Sequence, residues 1–275
     1  MSMDKDAIKQ IQQTQTAEAM RSTLNELGLT TPLVAVPQDF AIQDLERYMD
    51  GRTRYRGTMF TVSLLAFVEF CKAHDTDGAR CFVDSEDMDA KTFFNLGTEE
   101  SPGHADFSAC IKLNKTAEFQ TLLQINGDQK SQKQMAEWLE DWQEYITPYS
   151  GEGEAINIVK AIAAVRRLEI NASRKEDHDV QNFRESKSAL ESIEARSDHG
   201  MPAGFRFTCV PYQGLEERSF EVRLSILTGG DAPKLTARIR RLEQQQEQMG
   251  QEFMAKLANA FSDQKIDTYM GSFSA

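Results

Sequence analysis

Three segments in the last third of the chain alternate apolar and polar residues with period two. Phe205, Phe207 and Cys209 alternate with Arg206 and Thr208. Phe220, Val222, Leu224 and Ile226 alternate with Glu221, Arg223 and Ser225, and Leu235, Ala237 and Ile239 with Thr236, Arg238 and Arg240. Successive side chains of a strand point to opposite faces, so this pattern describes strands with one buried and one wet face. Turn signals at Gln213-Gly214 and Gly229-Gly230-Asp231 join them into a long antiparallel meander. A helix over 242–261 follows, with Met249, Phe253, Leu257 and Phe261 along its apolar edge.

The helical period appears elsewhere. Over 131–146, Met135, Trp138, Leu139, Trp142, Tyr145 and Ile146 form one apolar stripe. Ile8, Ile11, Met20, Leu24 and Leu27 predict a helix over 4–27, but its polar middle, 12–15, marks it as a peripheral arm. An extended piece at 33–36 and a brief helix over 40–49 come next. After them the pattern predicts a strand over 55–60, a buried helix over 61–74, paired strands at 80–84 and 91–95, and a third strand over 106–113. A buried helix is expected over 156–168, and the polar stretch 170–197 reads as a long two-stranded hairpin. Strands and helices without a βαβ rhythm predict an α+β fold of antiparallel sheets with flanking helices. The turn residues of 149–154 suggest a division into an N-terminal helical arm (1–30), an α+β domain (31–150) and a C-terminal sheet-plus-helix domain (151–275).

Charge changes the picture in two places. The chain of 275 residues carries a net charge of -12, which argues against coating nucleic acid wholesale, because phosphate binding needs local positive charge. Two local groups stand out against that background. Arg52, Arg54 and Arg56 bracket Tyr55, and arginines interleaved with an aromatic suit a nucleic-acid backbone and a stacked base. Arg206, Arg223, Arg238 and Arg240 fall on the outward side of the meander, diluted by Glu221, Thr208, Ser225 and Thr236. Between 84 and 106, by contrast, seven acids face a single Lys91. The arginine face therefore fits a polyanion or the acidic part of a neighbouring copy.

Other constellations read as structural. Glu137, Glu140, Asp141 and Glu144 lie opposite the Trp138 and Trp142 stripe, on the wet side of their helix. Asp84, Glu86, Asp87 and Asp89 lack the central Gly and terminal Glu of a calcium loop. His104-x-Asp106 has no further histidine near it in sequence. The four cysteines form no CxxC pair and read as reduced, buried small hydrophobes. Nucleophile-elbow, phosphate-loop and dinucleotide signatures are missing, so no cofactor and no metal site is expected. The apolar run at 62–70 is broken by Ser63 and Glu69, far short of the roughly 20 residues a membrane span needs. With a polar N-terminal decapeptide, a cytoplasmic location is expected.

The order of several motifs resembles the YfdQ-like family of phage and prophage proteins. They are His104-Ala105-Asp106-Phe107-Ser108-Ala109, Thr116-Ala117-Glu118, the helix Gln134-Met135-Ala136-Glu137-Trp138-Leu139-Glu140-Asp141, and the late stretches Pro202-Ala203-Gly204-Phe205-Arg206-Phe207 and Pro211-Tyr212-Gln213-Gly214. The first departs from the family pattern, in that His precedes Asp and no Arg follows. The resemblance implies a bacterial host and a phage or prophage accessory role. Taken together, the expectation is a non-catalytic protein that acts by binding, as a homo-oligomer. Docking of a host protein or of nucleic acid, as a recombination accessory, is the alternative. A metal-dependent nuclease using Glu137, Glu140 and Asp141, or His104 and Asp106, is a further one.

Overall fold

The computed structural model describes residues 4–26, 33–35, 42–168, 201–227 and 233–274. These fall into two compact units, Met1–Gly57 and Thr58–Ala275. In the first unit, α1 (Lys5–Glu26) precedes a short antiparallel pair, β1 (Leu33–Ala35) and β2 (Ile42–Asp44), in the register Val34↔Gln43. Ile8 and Ile11 are exposed on α1. The helix expected over 40–49 is corrected here. Ile42–Asp44 is a strand, and only Glu46–Tyr48 turns, as one 3-10 turn. The reason is local: the Asp44 carboxylate accepts the Glu46 N–H at 2.8 Å, offering the backbone an alternative to a helical bond.

The second unit holds two five-stranded sheets, which together with the helices make an α+β fold. In the first sheet β4 (Ala79–Asp84) pairs antiparallel with β5 (Asp89–Phe93), and β5 with β6 (Phe107–Lys112). At one edge lies β3 (Gly57–Thr61), where the Thr58 and Ser108 hydroxyls meet at 3.0 Å. At the other edge β12 (Ile266–Met270) runs parallel to β4. Cys81, Val83, Ala90, Ala109 and Ile111 form the buried side, in one core with Phe67 of α2 (Leu64–Ala73) and Phe253 and Leu257 of α6 (Leu242–Ala260). Ser63 caps α2 by accepting the Ala66 N–H.

The second sheet is ordered β7, β11, β10, β9, β8, and all its neighbours are antiparallel. The meander predicted from alternation is β9 (Gly204–Cys209), β10 (Arg218–Leu227) and β11 (Lys234–Ile239), followed by α6. The flanking strands β7 (Gln129–Ser131) and β8 (Ile146–Tyr149) come from earlier in the chain. On its buried side sit α3 (Ala117–Ile125) and α4 (Gln132–Asp141), while α5 (Ile158–Arg166) packs against α4 and β8. Phe119 stacks on Phe220 at 5.2 Å, and Trp138 lies 5.6 Å from Phe205 and 5.9 Å from Phe207. Of these, the fully buried Phe119, Phe205, Phe207 and Phe220 each contribute about 1.5–3 kcal/mol relative to exposure, while Trp138 is partly buried.

Several boundaries differ from expectation for physical reasons. The helix predicted over 131–146 starts on a capping box between Ser131 and Gln134, but ends at Asp141. A 3-10 turn and β8 take over because Ile146 pairs with Phe207 and Tyr145 stacks on the same ring at 5.7 Å. The stripe therefore continued past the helix, since both elements face one core. The residues of 149–154 form a tight turn closed by Ser150 N–H to Glu154 O at 2.8 Å. Strands from both sides of that turn share the second sheet, and β12 returns to the first. The polar stretch 170–197 lies outside the described residues.

Gly250 shows how closely α6 approaches the β4–β5 turn. A Cβ there would lie 2.5 Å from the Ser85 Cβ and 3.2 Å from its Cα and O. In a helix interior Gly to Ala ordinarily gains about 1 kcal/mol. At this position we expect Gly250→Ala to destabilise instead, by about 1–3 kcal/mol, through overpacking. Urea unfolding measures it: the midpoint falls with the m-value unchanged, and a raised midpoint would contradict the close approach.

Candidate functional site

Alternation places Arg206, Glu221, Arg223, Lys234 and Arg238 on the outward side of the second sheet, and Arg240 follows directly after β11; all six are exposed. The register sets them in rows across the strands. Tyr149 is opposite Gly204, Gly204 opposite Arg223, and Arg223 opposite Arg238. In the next row Thr147 faces Arg206 and Arg206 faces Glu221. Arg240 joins that row through its N–H to Glu221 O at 2.8 Å and an ion pair with the Glu221 carboxylate at 2.9 Å. Ser225, Thr236 and Gln129 make a third, neutral row.

The outward side thus holds, among the described residues, five cations and one carboxylate, in a chain whose net charge is -12. Among the described residues, Glu221 takes Arg240, while Arg206, Arg223, Lys234 and Arg238 form no ion pair. Side chains directly opposite on antiparallel strands have Cβ atoms roughly 4.5–5.5 Å apart, and like charges there repel. Arg223 and Arg238 stand in that relation. Two guanidinium forks held side by side suit an anion that accepts from both.

Tyr149 reaches across this face. Its hydroxyl donates to the Val222 carbonyl at 3.2 Å, crossing β9 at Gly204. A Cβ on Gly204 would run into the Tyr149 hydroxyl and ring carbon and the Val222 carbonyl, so only glycine leaves room for the ring. Burial pushes the Tyr149 hydroxyl pKa up, Glu221 adds to the rise, and Arg240, Arg206 and Arg223 pull it back. The ring therefore sits within the field of three of the four sheet arginines.

Arg52, Arg54 and Arg56 belong to the other unit, where a single carboxylate organises their loop. Glu46 is buried, accepts the Thr53 N–H at 3.1 Å and its hydroxyl at 2.9 Å, and pairs with the Arg56 guanidinium. Arg52 donates to the Arg56 carbonyl at 3.1 Å. Arg56 and Arg52 are thus engaged within the loop itself, and the Tyr48 and Tyr55 side chains are exposed. The Thr53 hydroxyl and N–H, then Arg56 and Arg52, hold the Glu46 carboxyl below the usual glutamate value.

The acidic groups have structural partners. Glu140 pairs with Arg166 at 2.6 Å and Glu137 with Lys133 at 3.8 Å. Asp84 accepts the N–H groups of Glu86 and Asp87, and Asp87 pairs with Lys112 at 3.3 Å. Asp106 accepts from the Asn95 amide at 2.8 Å, and His104 is exposed. Among the described residues no group of three His, Cys, Asp or Glu side chains is placed to hold a metal ion. Cys71, Cys81 and Cys209 are buried free thiols, each pushed up to about 12 by burial. No described helix is long and apolar enough to cross a membrane.

Sequence reasoning named the four sheet arginines but missed Tyr149 and Lys234. Tyr149 was assigned to a linker. The readable signal was Gly204 at the head of an alternating strand, where glycine marks a close approach.

A depressed carboxyl pKa stabilises above the unfolded value, and that stabilisation is lost as pH falls through the folded one. We therefore expect the 46–56 loop to keep its pinning at neutral pH and lose it on acidification below the ordinary glutamate value of about 4.3. The Thr53 amide protection factor, followed by NMR, should drop over that range. In Glu46→Gln it should be low already at pH 7, and pH-independent protection in the natural chain would contradict the assignment.

The profile of an uncharacterized conserved protein family, DUF2303, matches residues 4–273. No curated protein and no solved structure matches the chain. Spanning nearly its whole length, that match means that the chain belongs to the DUF2303 family of uncharacterized conserved proteins.

Proposed function

We propose that this protein is a non-catalytic binding protein, a phage or prophage accessory factor, that docks an anionic partner on the outer face of its second sheet. One observation carries the reading: among the described residues Arg223 and Arg238 stand opposite each other without a carboxylate, on a face with five cations to one acid. Repulsion between them costs stability in the free protein and is relieved when an anion sits between the forks. The phage assignment rests on the resemblance of the motif order between His104 and Gly214.

A second reading is self-association, with the acidic stretch 84–106 of one copy on the arginine face of another. The split of charge within the second unit supports it. A contact between two different patches is either reciprocal, closing a two-fold dimer, or heterologous, giving a ring or an open chain.

Retention on immobilised heparin tests the main reading. The natural chain should be retained at low salt despite its acidity, and the Arg223→Glu/Arg238→Glu variant should elute with the flow-through. Equal retention of the two would remove the sheet face from consideration. Native mass tests the second reading: mass that grows with concentration, and that the same variant reduces, supports it, and a concentration-independent monomer refutes it.

A further inference from the structure

Resting on the docking reading above, we infer that the occupant of the sheet face is a single-stranded nucleic acid, with Tyr149 stacking a base and the arginines holding phosphates. Charge alone admits any polyanion, so the choice depends on what else the face offers. The hydroxyl end of Tyr149 lies over Gly204 and is fixed by its bond to the Val222 carbonyl, and the side chain is half-buried, which leaves part of it open to a ligand. It heads the row that ends in Arg223 and Arg238. Neighbouring strands lie about 4.8 Å apart and alternate residues along a strand about 6.7 Å. Arg206 and Arg223 thus lie nearest the ring, with Arg238 one strand further along the row, at steps a flexible phosphodiester chain can follow. Stacking on an aromatic beside a cationic track is how proteins hold single strands without reading sequence. A duplex presents no open base face to such a ring.

The acidic stretch of a second copy fits less well, because four of its seven acids, Asp84, Asp87, Asp89 and Asp106, already have partners. Asp87 and Asp89 share Lys112, at 3.3 and 3.9 Å, and Asp84 accepts two backbone N–H groups of its own turn. Phosphates bring no such competing partners. The neutral row of Ser225, Thr236 and Gln129 adds hydrogen-bonding groups beside the charges, as contacts to sugar and phosphate require.

The test is fluorescence anisotropy of a labelled oligothymidylate, titrated with the full chain at several salt concentrations. Binding should weaken with salt at a slope of about 0.7 per phosphate neutralised, and Arg223→Gln/Arg238→Gln should reduce the slope by about 1.4. Tyr149→Leu should weaken binding about tenfold at every salt concentration with the slope unchanged. Tyr149→Phe, which keeps the ring but not the hydroxyl, should bind within about twofold of the natural chain, and urea midpoints confirm that each variant is folded. Heparin retention that depends on Arg223 and Arg238, with no oligonucleotide binding, would leave the docking reading standing and overturn this inference. Self-association abolished by the glutamate variant, again without oligonucleotide binding, would name a second copy as the occupant. Binding indifferent to Tyr149→Leu would overturn the stacking role. Binding indifferent to all four substitutions would overturn both readings.

Discussion

The register of β10 against its two neighbours is the constraint on which the rest depends. Phe220, Val222 and Leu224 point into the core, where Phe119 stacks on Phe220, and the residues between them face outward. A slip of one residue would turn that apolar set to water and bury Glu221 and Arg223 without partners. Several aromatic side chains hold the register from the helical side, Trp138 and Tyr145 through Phe205 and Phe207 of β9. The same packing therefore decides which side of the sheet carries arginine. The outward charges are a consequence of how the inner side is filled.

The two arginine groups show opposite economies of charge. In the loop of the first unit, the buried carboxylate of Glu46 collects Thr53 and Arg56, and Arg52 closes onto a backbone carbonyl. Those arginines hold a turn together. On the sheet, pairing by strand register brings Arg223 to Arg238 and leaves one glutamate among five cations. Cations that lack counter-ions in the free chain are the ones with interaction energy left for a partner. The docking face proposed above is marked out by unmet charge.

Tyr149 and Gly204 extend that argument from charge to shape. A side chain at position 204 would lift the ring off the sheet, so the small residue and the aromatic act as one unit. Aromatic cover over a strand glycine also repairs the packing that glycine forfeits, which gives the pair a stabilising role independent of any ligand. That role is compatible with the stacking proposed above, since Tyr149 is only half-buried.

Much of the second unit was legible in the sequence because its strands obey a local rule. Period-two alternation in β9, β10 and β11 needs only that one side be buried, and the helical stripe through Met135, Trp138 and Leu139 needs only a period of 3.6. The sequence by itself therefore determined that an arginine-bearing face exists and which arginines lie on it. It did not reveal that β7 and β8 flank the meander, that β12 returns to lie parallel to β4, or that residues 42–44 form a strand where a helix is expected. The first two are pairings across long separations, chosen by packing that no local period encodes; the third follows from the side-chain bond of Asp44 to the Glu46 N–H. Which arginines are neutralised was likewise settled only in three dimensions. Glu46 reaches Arg56 across ten residues and Glu221 reaches Arg240 across nineteen, whereas Arg223 meets another arginine across fifteen, because strand register and turn geometry set a side chain's neighbours.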